Sequence, residues 1–306
     1  PELSHQEKQT ADRLARWLGE IPGLTVKTGL GKGTGVLATL ATGRPGPVVA
    51  FRADIDALPI REQSGLPYAS RHEGVMHACG HDGHTACLLG AAMVLSAVRD
   101  QLGGTIKFIF QPAEETGHGA QTMIDSGVLN DPPVEAVFGL HGWPAMKIGT
   151  AATRPGAIMA STDSFRVTIH GKGAHAASPH LGCDPIVAAS QAVVALQSVV
   201  SRTLDPVKAG VVTVATIHAG TAFNIIPESA ELSGTIRALD PAVREHLRTQ
   251  VEQVVRHAAA ALGCRAEVAL GAGYPVVMND PGMTRLVADV AREVLGQEHV
   301  DDNRPQ

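Results

Sequence analysis

Three apolar, β-branched segments constrain the fold of the first half of this chain, because each of them ends abruptly in polar residues. The segments cover residues 47–51, 105–110 and 134–140, and the stretches that follow them, residues 52–59, residues 111–115 and His141, contain the candidate catalytic and ligand residues. Helical patterns separate the segments, notably over residues 84–98. Strands that alternate with helices form parallel βαβ units. The pattern therefore predicts an α/β domain with a mostly parallel sheet flanked by helices.

The polar residues at the three strand ends predict one shared site. In an open α/β sheet, ligands bind in the crevice outside the carboxyl ends of the strands. The side chains expected to meet there are Asp54, Asp56, Glu114, Glu115 and His141.

Residues 77–84 read His-Ala-Cys-Gly-His-Asp-Gly-His, which places three imidazoles, a thiol and a carboxylate within eight positions. The small spacer residues allow a tight turn, so that Cys79 and His81 can converge on one ion. A thiolate and a neutral imidazole suit Zn²⁺ or a related transition ion. A polar loop with a buried structural cysteine is the alternative interpretation, but the neighbouring strand ends supply matching chemistry.

The adjacent carboxylates of Glu114 and Glu115 would repel each other if both were simply buried. A metal ion gives each of them a separate role, since one can bind the ion while the other acts as a general base on a bound water. The pKa of such a water falls from about 15.7 towards about 7. A solvated turn is the alternative, but the position of the pair after a strand and before Gly117 and Gly119 favours the functional interpretation.

Taken in this order, the motifs resemble the amidohydrolase branch of the dinuclear metallopeptidase and aminoacylase superfamily, which includes hippurate hydrolases, indole-acetyl-amino-acid hydrolases and N-acetyl-diaminopimelate deacetylases. The resemblance extends over essentially all 306 residues and rests on residues 1–4, 52–59, 79–81 and 111–115. It implies two divalent metal ions per subunit in the complete protein, with Zn, Mn, Ni and Co as candidates. The implied metal ligands are Cys79, His81, Glu115 and His141.

The same resemblance implies that Glu114 is the general base and that Asp56 orients a ligand, a role that carboxylates commonly have around metals. Relatives in the carboxypeptidase branch carry a histidine ligand where this chain has Asp54, so Asp54 is not expected to bind metal. His77 and His84 are interpreted as supporting residues or as residues at a helix start.

The second half changes character near residue 160, where an alternating strand begins at residues 164–170. The predicted order from there is β-α-β-β-α-β, a ferredoxin-like unit, with a helix that starts at Asp184-Pro185. We therefore expect a catalytic domain over residues 1–159 and 276–306, interrupted by an inserted lid or dimerisation domain over residues 160–275. Because such a sheet leaves an edge and an apolar helix face, a homodimer through this domain is expected.

Three residues of the predicted insert are candidates for contact with substrate. His175 lies in a glycine-rich loop at residues 171–179, and the resemblance implies that the matching histidine reaches the partner's active site in a dimer and polarises the scissile carbonyl. An ordinary surface turn is the alternative. Asn224 and Arg237 could bind substrate oxygen or carboxylate, since Arg pairs well with carboxylates, or they could be structural.

The composition indicates an intracellular enzyme rather than a protein that binds polyanions. The net charge is -5, the pI is about 6.3, and 44% of the residues are hydrophobic, so no nucleic-acid partner is predicted. The four cysteines show no paired framework, which favours a reducing, cytoplasmic location, and Cys87 and Cys264 lie in apolar elements where buried thiols are expected. The apolar run at residues 86–98 is shorter than the ~20 residues of a membrane span, so no membrane partner is predicted.

The leading hypothesis is a metal-dependent hydrolase that cleaves the amide bond of a small N-acyl amino acid, with N-acetyl or N-benzoyl as typical acyl groups. A dipeptidase or carboxypeptidase is the alternative within enzymes, and a non-catalytic metal-binding dimerisation protein is the alternative outside them. Relatives carry a Gly-Gly-Glu-Asp-Phe motif and a final histidine ligand beyond the point where this chain stops. We therefore expect these 306 residues to be part of a longer protein. The catalytic domain within them is expected to be incomplete at both ends.

Overall fold

The computed structural model describes residues 1–116, 118–271 and 273–302, which form two compact units, Pro1–Met146 and Lys147–Gln306. The elements of the first unit are α1 (Lys8–Gly19), β1 (Leu24–Leu30), β2 (Gly35–Ala41), β3 (Val48–Asp54), α2 (His81–Ala97), β4 (Thr105–Gln111), α3 (Gly119–Asp125) and β5 (Ala136–Gly139). The elements of the second unit are β6 (Ala151–Ala152), β7 (Gly156–Met159), β8 (Asp163–His170), β9 (Ala174–His175), α4 (Pro185–Ser198), β10 (Gly210–Ala219), β11 (Ile225–Ile226), β12 (Ser229–Ala238), α5 (Pro241–Ala260), β13 (Arg265–Gly271), β14 (Val277–Asn279), α6 (Pro281–Leu295) and β15 (Val300–Asp301).

The first unit contains a five-stranded sheet in the order β1-β2-β4-β3-β5. β3 is parallel to both β4 and β5, whereas β2 is antiparallel to both β1 and β4. The sheet is therefore mixed, and the prediction of a mostly parallel sheet is not confirmed. The reason is the short connection between β1 and β2, because a tight turn joins antiparallel strands while a parallel pair requires a longer crossover such as α2.

The three parallel strands bring their carboxyl ends to the same edge of the sheet. Asp54 at the end of β3 pairs with Gln111 at the end of β4, and Arg52 pairs with Gly139 at the end of β5. The chain therefore leaves these strands side by side, and the polar residues after each strand start from neighbouring positions.

Helices cover both faces of this sheet and explain why β4 is buried along most of its length. Leu14 and Leu18 of α1 pack with Phe108 and Phe110 of β4 on one face, and α2 adds Leu88 and Ala92 there. On the other face, Ile109 packs with Met123 of α3 and with Val128. Burial on two faces gives β4 a continuous apolar pattern rather than an alternating one.

Lys107 interrupts the apolar pattern of β4, with only 1% of its surface exposed. Its ammonium group donates hydrogen bonds to the carbonyl oxygens of Val128 at 3.1 Å, of Pro132 at 2.9 Å and of Asn130. Burial lowers the pKa of Lys107. Because three carbonyls accept its three donors, the side chain fixes the loop that leads into β5.

The second unit contains a four-stranded antiparallel sheet in the order β10-β12-β8-β13. Its chain order is β8-α4-β10-β12-α5-β13, which matches the predicted β-α-β-β-α-β order. The side chains of β8 alternate between buried and exposed, because α4 and α5 cover one face of the sheet. The predicted domain limits at residues 160 and 275 enclose this sheet and its two helices, and they stay a prediction.

The fourth helix begins where the sequence predicts, at Pro185, with the Asp184 carboxylate accepting the backbone N–H of Ile186 at 2.8 Å. The helical run Pro185–Thr203 has a mean hydropathy of 1.2 over a span-length window, so by length and composition it could cross a membrane. The sequence prediction overlooked this run. Ala192 and Leu196 on one face of it lie in the hydrophobic core of the second unit, and 28% of the window is buried.

We expect Lys107→Met to lower the free energy of unfolding by roughly 1–3 kcal/mol, since it leaves the buried Val128 carbonyl without its donor. Urea denaturation measures the change. The matched control is Lys8→Met at the exposed start of α1, which should change stability by no more than about 0.5 kcal/mol. Equal stability of the two variants would contradict the structural role of Lys107.

Candidate metal centre

The second helix begins at the metal-binding motif because Gly80 turns the chain sharply. Gly80 has a φ of 82°, a left-handed conformation that glycine adopts without strain, and His81 is the first helical residue. The imidazole of His81 is 1% exposed. Its Nδ1 donates towards Asp56, with the backbone oxygen at 2.9 Å and Oδ1 at 3.2 Å. This bond leaves Nε2 as the nitrogen with a free lone pair.

Nε2 of His81 faces the carboxylate of Glu115, with Oε1 at 3.9 Å. Both atoms are buried, and neither has a hydrogen-bond partner. Unpaired buried polar atoms are costly, about 1–3 kcal/mol each. Bonds of about 2.0–2.2 Å from Zn²⁺ to nitrogen and oxygen would span a gap of this size. The two atoms therefore fit an ion between them better than they fit each other.

Cys79 and His141 lie together next to His81. The Cys79 Sγ is 3.5 Å from Nε2 of His141, while Nδ1 of His141 donates to the Gly142 carbonyl at 2.6 Å. A tetrahedral zinc with a Zn–S bond of about 2.3 Å and a Zn–N bond of about 2.0 Å holds its sulfur and nitrogen about 3.5 Å apart. The donor atoms of Cys79, His81 and His141 all lie within 4.8 Å of one another.

A second group of donors shares His81, because the nearest atoms of His81, Glu114 and Glu115 also lie within 4.8 Å of one another. The structure therefore brings the four predicted metal ligands and the predicted general base into one cluster. A third group, formed by Asp54, His81 and His84, also has its donor atoms within 4.8 Å of one another. Overlapping groups around a single imidazole fit a site for more than one ion.

Asp56 is hydrogen-bonded to residues of this cluster and is 1% exposed. Besides its contact with His81, it accepts the Glu115 backbone N–H at 3.0 Å and the Ser4 hydroxyl at 2.6 Å, both through Oδ2. Burial alone would raise the pKa of Asp56, but the hydrogen bonds from His81, Ser4 and the backbone outweigh it and lower the pKa. This arrangement fits the orienting role predicted for Asp56.

The groups that face the cluster have pKa shifts of the opposite sign. Burial and the charges of Glu115 and Glu114 raise the pKa of the Cys79 thiol to about 11. Burial and the neighbouring Glu115 raise the pKa of Glu114, and burial raises that of Glu115. A bound cation reverses such shifts, because it stabilises the deprotonated thiol and carboxylates. The donor set therefore suits a positively charged ion.

Asp54 is buried but already has partners. Its carboxylate accepts a bond from Arg52 at 2.7 Å and from Nδ1 of His84 at 2.7 Å. Although burial opposes its charge, these partners hold the pKa of Asp54 well below its usual range. Oδ2 lies 3.6 Å from Nε2 of His81, so Asp54 borders the cluster with each of its oxygens already accepting a bond, one from Arg52 and one from His84.

His84 links Asp54 to the chain beside His141, since its Nε2 accepts the Gly142 N–H at 2.7 Å. A supporting role for His84 is expected from the sequence, but its hydrogen bond with Gly142 is not. The contacts of Ser4 and Glu7 with the site from the start of the chain are not expected either. Only the similarity of residues 1–4 to the family pattern hinted at their involvement.

In the second unit, His175 and Asn224 lie together on a small ribbon. β9 pairs with β11, with His175 opposite Ile225, and the Asn224 carbonyl accepts the Ala176 N–H at 3.0 Å. His175 is exposed, and its Nδ1 accepts the Ala177 N–H at 3.1 Å, so the proton of the neutral ring lies on Nε2. Arg237 is half-buried on β12 opposite Val211 and is not part of this ribbon.

Comparison with known proteins agrees with this chemistry. Residues 50–306 match the model of peptidase family M20/M25/M40. The chain is 46% identical to an N-acetyl-L-cysteine deacetylase of Bacillus subtilis (strain 168) over 96% of its own length and 70% of that protein. It is 41% identical to thermostable carboxypeptidase 2 of Saccharolobus solfataricus over 96% of its length and 75% of that protein.

Among solved structures, the chain is similar to a Bacillus subtilis protein described as a dinuclear metal-binding peptidase of the M20 family. The TM-score is 0.84 at 38% identity, and the match covers 100% of this chain and 79% of that one.

We expect metal binding to release a proton from Cys79, because a thiol with a pKa of about 11 is protonated at neutral pH and binds metal as a thiolate. Zinc affinity should then rise as the pH increases, by up to about tenfold per pH unit. Titration calorimetry in buffers of different ionisation enthalpy counts the protons released. In Cys79→Ala the count should fall by about one per subunit, and an unchanged count would exclude the thiol as a ligand.

Alkylation provides a second readout within the same protein. Cys79 should be protected while metal is bound and should react in the metal-free protein, faster at higher pH.

Cys87 is exposed rather than buried, so the sequence expectation for it is wrong. It faces outward on α2, where the buried side chains are those of His84, Leu88 and Ala92. Cys87 should be labelled equally in both states and serves as the internal standard.

Proposed function

The chain belongs to peptidase family M20/M25/M40, and from this membership and the metal centre we infer that it is a metal-dependent hydrolase that cleaves the amide bond of N-acyl amino acids. The observation that carries this inference is the pair of facing, unpartnered buried atoms, His81 Nε2 and Glu115 Oε1, beside a thiol and a second imidazole. We propose an N-acetyl amino acid as substrate, because a deacetylase of such a compound is among the similar proteins.

Divalent ions held by Cys79, His81, Glu115 and His141 would supply Lewis acidity towards the amide carbonyl and lower the pKa of water. Zinc, manganese, nickel and cobalt are the candidate ions. The thiol favours the softer members of this series, whereas Glu115 and the imidazoles suit any of them.

Glu114 acts as the general base in this proposal. Its pKa is raised towards neutral pH, and a general base is most effective when its pKa lies near the working pH. It takes a proton from the water that attacks the carbonyl carbon and delivers that proton to the amide nitrogen as the C–N bond breaks. The products are a carboxylic acid and a free amino acid.

His175 supports the developing oxyanion in this proposal, since Nε2 carries a proton on an exposed ring. Asn224 on the same ribbon would contact a substrate oxygen. Arg237, on β12 opposite Val211, would bind the substrate carboxylate.

We propose that residues 160–275 form a lid and dimerisation domain. β10 is an edge strand of ten residues, and the neighbouring α4 exposes Ile186, Val187 and Val194. An edge and an apolar helix face of this kind are commonly covered by a second subunit. The free cysteines of the described residues suit a reducing compartment, for which we propose the cytoplasm.

Carboxypeptidase action is the second candidate, because a thermostable carboxypeptidase is also similar to the chain. A panel of N-acetyl amino acids and dipeptides with the same carboxyl-terminal residue separates the two activities. Higher kcat/KM for the acetylated compounds supports the leading proposal. A zinc-loaded protein that binds these compounds and cleaves none of them would be a non-catalytic metal-binding protein.

We expect Glu114→Gln to lower kcat by about 10²–10⁴-fold while metal content stays unchanged, because the amide keeps the shape of the side chain and removes the base. The neighbouring Glu115→Gln is the matched control and should lose metal instead. Hydrolysis of the acetylated panel and elemental analysis give the two readouts. A Glu114→Gln enzyme with parental kcat would exclude Glu114 as the base.

We also expect His175→Ala to lower kcat by about 10²–10³-fold, as the loss of an oxyanion donor does. If His175 serves the partner subunit, mixing His175→Ala subunits with Glu114→Gln subunits should restore part of the activity in heterodimers. Proven subunit exchange without recovery would contradict action across the dimer.

A further inference from the structure

The segment that precedes the first helix contacts the metal centre at two points. Glu7 is completely buried, although it lies near the start of the chain. Its Oε1 accepts the backbone N–H of Ala113 at 2.8 Å and of His5 at 3.0 Å, and its Oε2 accepts the Thr34 hydroxyl at 2.7 Å. A buried carboxylate with three donors is tightly fixed, so it can hold the backbone to which it is bonded.

Ala113 is the residue directly before the two catalytic-centre glutamates, and its backbone is strained. Its φ is 51°, in the left-handed region that costs an alanine roughly 1–2 kcal/mol. The Glu7 carboxylate holds the N–H of Ala113, and the Gly119 N–H donates to its carbonyl at 3.0 Å. A Cβ at position 119 would lie 1.6 Å from the Pro112 carbonyl oxygen, so the turn closes too tightly for a larger residue.

The second contact reaches the same turn from its other side. Ser4 donates to Oδ2 of Asp56, which also accepts the Glu115 N–H. The Glu2 carbonyl accepts the Ala57 N–H at 2.8 Å and anchors the segment beside Asp56. The backbone is therefore fixed before Glu114 by Glu7 and after it by Asp56, whose position Ser4 supports.

We propose that Glu7 and Ser4 are positioning residues that set the direction of the Glu114 and Glu115 side chains. Glu7 holds the left-handed conformation of Ala113 directly, and Ser4 acts through Asp56. The effect on turnover rests on the proposed function, but the effect on the backbone of residues 112–116 does not. The strain at Ala113 explains why a fixed partner is needed, since a strained conformation persists only where its surroundings enforce it.

The test compares Glu7→Ala, Glu7→Gln, Ser4→Ala and a control, Glu2→Ala, in zinc-loaded protein. Glu2 lies in the same segment. Its carboxylate caps the start of the first helix through Gln9 and Thr10 rather than bonding to the backbone of residues 113–115. Glu7→Gln keeps an acceptor oxygen for Ala113, and its amide can donate to the Thr34 hydroxyl. It should therefore retain most of the function that Glu7→Ala loses.

For Glu7→Ala we expect kcat on an N-acetyl amino acid to fall by about 10²-fold, as a displacement of about 1 Å can cause. KM should change by less than about twofold because ground-state binding is intact. Glu7→Gln should lie within about threefold of the parent, Ser4→Ala should lose about tenfold, and Glu2→Ala should keep its kcat. Equal losses in Glu2→Ala and Glu7→Ala, or no rescue by Gln, would overturn the proposal.

Hydrogen exchange of the backbone amides of residues 110–119 separates this proposal from the function on which it partly rests. Exchange there should increase in Glu7→Ala but not in Glu2→Ala, whether or not any substrate is cleaved. Unchanged exchange in Glu7→Ala overturns the positioning role of Glu7 even if the enzyme is active. If exchange increases in Glu7→Ala while the parent protein cleaves no amide, the positioning role of Glu7 stands and the proposed function is overturned. If Glu7→Ala does not fold, Ser4→Ala decides the question by the same two measurements, and parental kcat with unchanged exchange in Ser4→Ala overturns the proposal.

Discussion

The buried carboxylate of Asp56 is the interaction on which the rest of the metal centre depends. It joins three separate parts of the chain: His81 at the start of α2, Glu115 after β4, and Ser4 in the N-terminal segment. By accepting the Nδ1 proton of His81, it turns Nε2 of that ring towards Glu115. By accepting the Glu115 amide, it fixes the carboxylate that faces Nε2. A carboxylate that both orients an imidazole and holds its neighbour makes the site rigid before any ion arrives.

The pKa shifts divide the acidic groups of the site into two kinds. Asp54 and Asp56 have pKa values lowered by hydrogen bonds within the protein, which outweigh burial, and they stay charged to support their neighbours. Cys79, Glu114 and Glu115 have raised pKa values, because they are half-buried and crowd one another. The first kind orients neighbouring side chains through hydrogen bonds. The second kind consists of the groups whose charged form a bound cation would stabilise. The expectation from the sequence that Cys79 and Glu115 bind metal while Asp54 does not is compatible with this division and stays a prediction.

The sequence was sufficient to predict which side chains come together where local spacing determines geometry. Cys79 and His81 are two residues apart on a tight turn, and the strand ends before Asp56, Glu114 and His141 meet because β3, β4 and β5 are parallel. It was not sufficient where the outcome depends on packing between distant segments. The antiparallel addition of β1 and β2, the outward direction of Cys87, and the contact of Glu7 with Ala113 across 106 positions leave no periodic signal in the chain.

The central claim is that the ions bind between the thiol, the two imidazoles and Glu115, with Asp54 and His84 as supports. Anomalous diffraction at the zinc absorption edge from zinc-loaded crystals tests it most directly. The account predicts anomalous peaks at bonding distances of about 2.0–2.3 Å from Cys79 Sγ, from Nε2 of His81 and His141, and from the Glu115 carboxylate. Peaks bonded to Asp54 and His84, with the Cys79 thiol and the Glu115 carboxylate unbound, would contradict it.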